Sequence, residues 1–197
     1  MSNRESSDVV AAASRVVAPD ASSIAVARKT TTGNDVTAHQ KGPLTPLLEY
    51  TVADMQKVAR FVIPHRTHFQ AALREIAQGA KKSHYIWYLL PTPLHVVHGV
   101  ERGSVMNRRF ALRSDAQVMA YLHWDRAGVN LRKKYVDFLR QILRQLQAGK
   151  TMRQLLGMDS VKAMSSIRLF MRVADRIDDQ QLTALCQEVL QLAQAAK

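Results

Sequence analysis

Lys81, Ser83, His84 and Trp87 stand in one short stretch of this 197-residue chain and hold the parts of a pocket for a phosphorylated or nucleotide-like ligand. A lysine and a histidine can neutralise phosphate, a hydroxyl can hydrogen-bond to it, and an indole can stack on a base. If residues 83–90 are helical, Ser83, His84 and Trp87 share one face, and Ser83 sits at a helix N-terminus, where phosphate binds readily. A purely structural reading competes, with Trp87 in the core, His84 bonded to a buried carbonyl and Ser83 a cap. Lys162, Ser165 and Ser166 make a second cluster. They could line the same pocket, or the serines could let helices approach closely while bonding carbonyls one turn back.

Other chemistries lack parts. His65 with His68 and His95 with His98 have i, i+3 spacing, yet neither pair has a carboxylate or cysteine in metal-site spacing, so no metal and no cofactor is expected. There is no Gly-x-Ser-x-Gly elbow and no Gly-rich phosphate loop, and no catalytic residue can be named. A basic stripe runs through Arg132, Lys133, Arg140 and Arg144 and continues to Lys150 and Arg153. It is the best case for RNA, although it brings no recognisable binding motif and no aromatics for stacking.

The net charge of +12 favours anionic partners without choosing among them. Residues 1–46 are rich in Ala, Ser, Thr and Val, contain no aromatic residue and close on Pro43 and Pro46, which reads as a disordered extension before a domain at 47–197. Arg4, Arg15 and Arg28 give that extension a faint likeness to a mitochondrial presequence, which Glu5 and Asp8 oppose. Cys186, the one cysteine, falls on an apolar helical stripe and reads as a buried small hydrophobe. No apolar run approaches the length of a membrane span, so no membrane insertion is expected.

From Thr51 onward the apolar spacing is helical. Thr51 with Asp54 opens a first helix that Pro64 should end, and Thr67 with Gln70 looks like a capping box for a second, stopped by Gly79. Residues 83–90 read as a short buried helix or crossing segment, followed by a loop from Thr92 to Gly103. Ser114 with Gln117 opens another helix. A long one spans about 127–148, a short one runs from Thr151 to Leu156, and a further helix capped by Asp159 buries Val161, Met164, Ile167 and Phe170. The last begins near Asp179. The sum is an all-α domain of seven or eight helices.

Two motifs then carry a family resemblance. Lys81-x-Ser83-His84-Tyr85-Ile86-Trp87-Tyr88-x-x-Pro91 and Gly157-x-Asp159-x-x-Lys162-x-x-Ser165-Ser166-x-x-Leu169-Phe170 resemble the signatures of an all-helical family, domain of unknown function eighteen-ten. Arg60-Phe61-Val62, Gly79, Phe110-Ala111 and Tyr121-Leu122 agree with it, and the likeness extends over about residues 52–175. It implies the fold and no activity.

The leading functional expectation is a non-catalytic helical module for a small anionic ligand or an acidic protein. Its residues are Lys81, Ser83, His84, Trp87, Lys162, Ser165 and Ser166. The alternatives are an RNA-associated protein using the stripe at 127–153, and an enzyme acting on a phosphorylated or nucleotide substrate with His84 as acid–base. The compartment expected is intracellular, cytoplasmic by default, with mitochondrial as the alternative.

Overall fold

Thr51 opens the first helix as its spacing to Asp54 suggests. In a computed structural model, which describes residues 49–195, the Thr51 hydroxyl accepts the Asp54 N–H at 3.2 Å and the Asp54 carboxylate accepts the Thr51 N–H at 3.0 Å. The expected extension over residues 1–46, and the presequence reading with it, lie outside the described residues. Helix α1 (Val52–Val58) passes through a 3₁₀ turn (Ala59–Phe61) straight into α2 (Val62–Ala77).

Pro64 therefore does not end the run. Proline lacks an N–H and crowds the carbonyl four residues back, here that of Arg60, and the 3₁₀ turn around Arg60 absorbs the conflict. Thr67 accordingly caps nothing. It lies inside α2, and its hydroxyl donates to the Ile63 carbonyl at 3.1 Å.

Helix α3 covers only Ile86–Leu89. Between it and α5 (Asp115–Leu122) lie a hairpin of β1 (Val96–Val97) and β2 (Val100–Glu101), and α4 (Val105–Phe110), all within or just beyond the segment read as a loop. A second hairpin pairs β3 (Asp125–Arg126) with β4 (Val129–Asn130). Its turn, Ala127-Gly128, has positive φ at both residues, 54° and 68°, the geometry of a tight hairpin. This delays α6 (Leu131–Gln147) four residues beyond its expected start, and Asn130 caps it, accepting the Lys133 N–H at 2.7 Å. Helix α7 (Met152–Leu156), a 3₁₀ turn (Gly157–Asp159), α8 (Ser160–Arg176) and α9 (Gln180–Ala195) complete nine α-helices among the described residues. Two short hairpins leave the class unchanged, and the domain is all-α.

Helix α6 is the axis of the core. Leu131, Tyr135, Phe138, Leu139, Ile142 and Leu146 are buried along it, and α2, α3, α5, α7 and α9 all pack against it. Tyr135 stacks on Phe170 of α8 at 4.1 Å, Tyr121 meets Phe170 edge-on at 5.2 Å, and Phe61 meets Tyr121 at 5.2 Å. Such pairs add to the area they bury. Cys186 is fully buried, and burial pushes its thiol up to about 12.

Three polar side chains share this interior: His65, Gln117 and Ser166. The Nε2 of His65 lies 2.9 Å from the Tyr88 carbonyl and 3.1 Å from the Tyr121 hydroxyl. A carbonyl only accepts, so Nε2 carries the proton. Nδ1 is left bare, with no partner among the described residues. Burial lowers the imidazole pKa to about 3, the Tyr88 bond opposes this and the Lys134 charge adds to it.

Candidate functional site

The segment after α2 is a strap tied down from three sides. The Lys81 N–H donates to the Leu155 carbonyl at 2.7 Å. The Glu75 carboxylate accepts the Lys82 N–H at 2.7 Å and the Ser83 N–H at 2.9 Å, and it also takes the Ser83 hydroxyl. Partial burial pushes the Glu75 carboxyl up, but these donors outweigh it and leave the pKa below the ordinary value. Ser83 is thus committed to Glu75. It lies in a bend ahead of α3 and does not stand at a helix N-terminus, since α3 begins only at Ile86.

The strap delivers Lys81 to Asp159. Its ammonium is 2.8 Å from one carboxylate oxygen, and the ammonium of Lys162 is 2.8 Å from the other. Asp159 precedes α8 but makes no side-chain cap, since its oxygens are spent on the two lysines. Burial raises its pKa, and the Lys162 and Lys81 contacts more than reverse that. Lys81 is 11% exposed and Lys162 36%, so Lys162 is the cation a ligand could reach. The Lys162 ammonium also lies 5.6 Å from the Trp87 ring centre, and His84 stacks on the same ring at 6.2 Å. Among the predicted residues, Lys81, Lys162, Trp87 and His84 therefore converge around Asp159. Two buried donors beside them, Trp87 Nε1 and the Tyr85 hydroxyl, have no hydrogen-bond partner among the described residues.

The adjacent serines of α8 part company, as neighbours on a helix must. Ser166 points into the core, 3.2 Å from the Tyr135 hydroxyl. Ser165 faces a groove of about 320 Å³ together with Thr92, His95, Asn107, Val161 and Lys162. A second groove of about 360 Å³, lined by Pro93, Ser165, Arg168, Leu169 and Arg172, shares Pro93 and Ser165 with the first. The two form one channel along α8, with no acidic residue in its lining among the described residues. Its outer wall is fixed where Leu112 donates to the Thr92 carbonyl at 2.9 Å and Leu94 donates back to Leu112 at 3.2 Å. At its mouth, Gly103 (φ 99°) lies so close to Asn107 that an added Cβ would stand 3.0 Å from that amide.

Thr92, His95, Asn107, Arg168 and Arg172 were not among the residues expected. The spacing of Lys162, Ser165, Arg168 (or Leu169) and Arg172 along one face of α8 was the available signal. Val161, expected to face inward, is exposed instead.

The basic stripe of α6 is partly neutralised. Arg132 makes two 2.7 Å bonds to Asp179 and Lys133 one of 2.7 Å to Asp137, while Arg140, Arg144, Lys150 and Arg153 are exposed. Of the histidine pairs, His65 is buried and His68 lies against the Tyr88 ring, whereas His95 and His98 are exposed about the first hairpin. No group of three or more His, Cys, Asp or Glu side chains suited to a metal occurs among the described residues. No helix among them is long and apolar enough to cross a membrane.

An all-α domain with a cationic channel along its penultimate helix is the class these features define. A family model described as protein of unknown function (DUF1810) matches residues 55–192, and the chain belongs to that family. Among solved structures it is similar to the conserved hypothetical protein Rv1873 from Mycobacterium tuberculosis. The likeness has a TM-score of 0.56 at 21% identity over 71% of this chain and 93% of the other, and it shows the fold. No curated protein matches the chain.

Proposed function

We propose that this chain is a non-catalytic module that binds a small anionic ligand, phosphorylated or nucleotide-like, in the channel between residues 92–95 and α8. The observation that carries the reading is that Lys162, Ser165, Arg168 and Arg172 line one channel with no carboxylate in its lining among the described residues. Among those residues Arg168 makes no ion pair, while Lys162 is shared with Asp159 and Arg172 is held by Asp115. Ammonium, guanidinium and hydroxyl groups together are the usual recognition set for phosphate. The volume fits the lower range of small-ligand sites. What favours binding over turnover is the lining itself, which offers cations and hydroxyls with no paired base and nucleophile.

The test is thermal denaturation of the full chain with pyrophosphate, nucleotides, sugar phosphates and short RNA. A ligand at about a hundred times its Kd should stabilise the native state by about 2.7 kcal/mol. That shift should vanish in Lys162→Gln and Arg168→Gln and survive in Ser166→Ala. Silence from all small anions, or a shift indifferent to Lys162, overturns the reading. A salt-sensitive shift with RNA alone, abolished by Arg140→Glu with Arg144→Glu, would transfer it to α6.

A further inference from the structure

On the far side of Val161 lies a second groove, of about 400 Å³, walled by α7, the first turns of α8 and the end of α9. Its lining is mostly apolar: Met152, Val161, Met164 and Ala193 contribute, and Arg153 is its only charged member among the described residues. In its wall Val161 is 76% exposed, and in the turn joining α7 to α8 Met158 is 85% exposed, high values for side chains of this kind. Contiguous exposed apolar surface marks an interaction site. Of the chain's eight methionines, Met152 and Met164 line the groove, one buried and one half-buried, and the exposed Met158 stands in the turn between α7 and α8. Methionine is unbranched and polarizable, which suits a surface that must mould itself to an incoming side chain.

We infer that this groove docks the apolar face of an amphipathic helix from an acidic protein partner. Three helical walls admit the side-chain ridge of one helix, as in helix-in-groove recognition, but not a flat bilayer. The sign of the partner follows from charge. Arg153 is exposed and meets no carboxylate among the described residues, and no acidic side chain lines the groove. A second copy of this chain would bring another +12 and another Arg153 to the same place, which disfavours self-association. Acidic residues flanking the leucine-type anchors of the incoming helix would instead meet Arg153.

The experiment uses the full chain and two fluorescent peptides of about 18 residues, long enough to form a helix on docking. Both carry leucines at i, i+3, i+4 and i+7, with glutamates elsewhere in one and lysines in the other. Fluorescence anisotropy should show the glutamate peptide binding roughly ten-fold or more tightly than the lysine peptide. Val161→Asp, at an exposed position that leaves the core intact, should weaken it by roughly ten-fold or more. Arg153→Glu should invert the preference between the peptides. Hydrogen exchange should show new protection in α7 and in the last turns of α9. Failure of the glutamate peptide to bind, equal affinity for both peptides, or protection confined to residues 92–103 overturns the inference. So does a dimer of the full chain that Val161→Asp dissolves, because the occupant would then be a second copy.

Discussion

Mild acidification should destabilise this domain through His65. In the unfolded chain the imidazole takes up a proton near its ordinary pKa of about 6.5. In the fold it stays neutral to about 3, because burial disfavours the cation and Nε2–H already faces a carbonyl. Between those values the unfolded state holds more protons than the native state, so stability falls as pH falls. Going from about pH 7.5 to about pH 5, the linkage relation gives a loss of about 2 kcal/mol from this one group. The window stays above the unfolded-state carboxylate values of about 3.9 and about 4.3, below which the stability tied to the lowered native pKa values of Asp54, Glu75, Glu101, Asp115, Asp159 and Asp179 is lost. Urea unfolding followed by circular dichroism at the two pH values measures the loss directly. The same titration on His65→Gln, whose amide can still donate to the Tyr88 carbonyl, isolates the histidine. The variant should start less stable at neutral pH and lose far less on acidification. If wild type and variant lose the same amount, or wild type gains stability at the lower pH, the reasoning fails.

Three further variants test the site. Asp159→Asn should cost about 1–3 kcal/mol in chemical denaturation, because Lys81, only 11% exposed, is left without its anion. The same variant should bind pyrophosphate several-fold more tightly by calorimetry, since Lys162 loses its neutralising partner. Ser166→Ala should cost about 1 kcal/mol by leaving the buried Tyr135 hydroxyl unpaired, with no change in anion affinity. Glu75→Ala should release the strap, seen as faster amide exchange at Lys82 and Ser83 and a loss of about 1–2 kcal/mol in melting experiments.

The helical class was legible because apolar spacing over Leu131–Leu146 or Ile167–Val173 admits no other period. Boundaries were harder wherever two local rules disagreed. Pro64 and Thr67 together imitate a stop and a restart, and only the 3₁₀ turn at Arg60, set by tertiary packing, resolves them as one helix. Neither hairpin is legible locally, because their turns, His98-Gly99 and Ala127-Gly128, place a side chain at positive φ, where glycine or asparagine is the usual signal. Within the site, Lys81, Trp87 and Lys162 could be named from the motifs, but their meeting point could not. Asp159 read as a helix cap, and nothing local reveals that its oxygens serve two lysines, one from the 3₁₀-to-α8 junction and one arriving 78 positions earlier in the chain. The channel wall at Thr92 and His95 depends on a pairing with Leu112 across 20 residues, which periodicity does not encode.

Cys186 gives the domain a built-in clock for its own breathing. With a fully buried sulfur and a thiol held near 12, it cannot react with an alkylating reagent while α9 is seated. Each labelled molecule is therefore a record of one departure of α9 from its bed on α6 and α8. As there is no second cysteine in the chain, the labelling rate reports that departure without ambiguity. The methionine groove reaches the end of α9 at Ala193, whereas the channel is lined by α8 and residues 92–107. Measured side by side, the slowing that an occupant of each imposes on the clock would reveal whether the two surfaces share a common hinge.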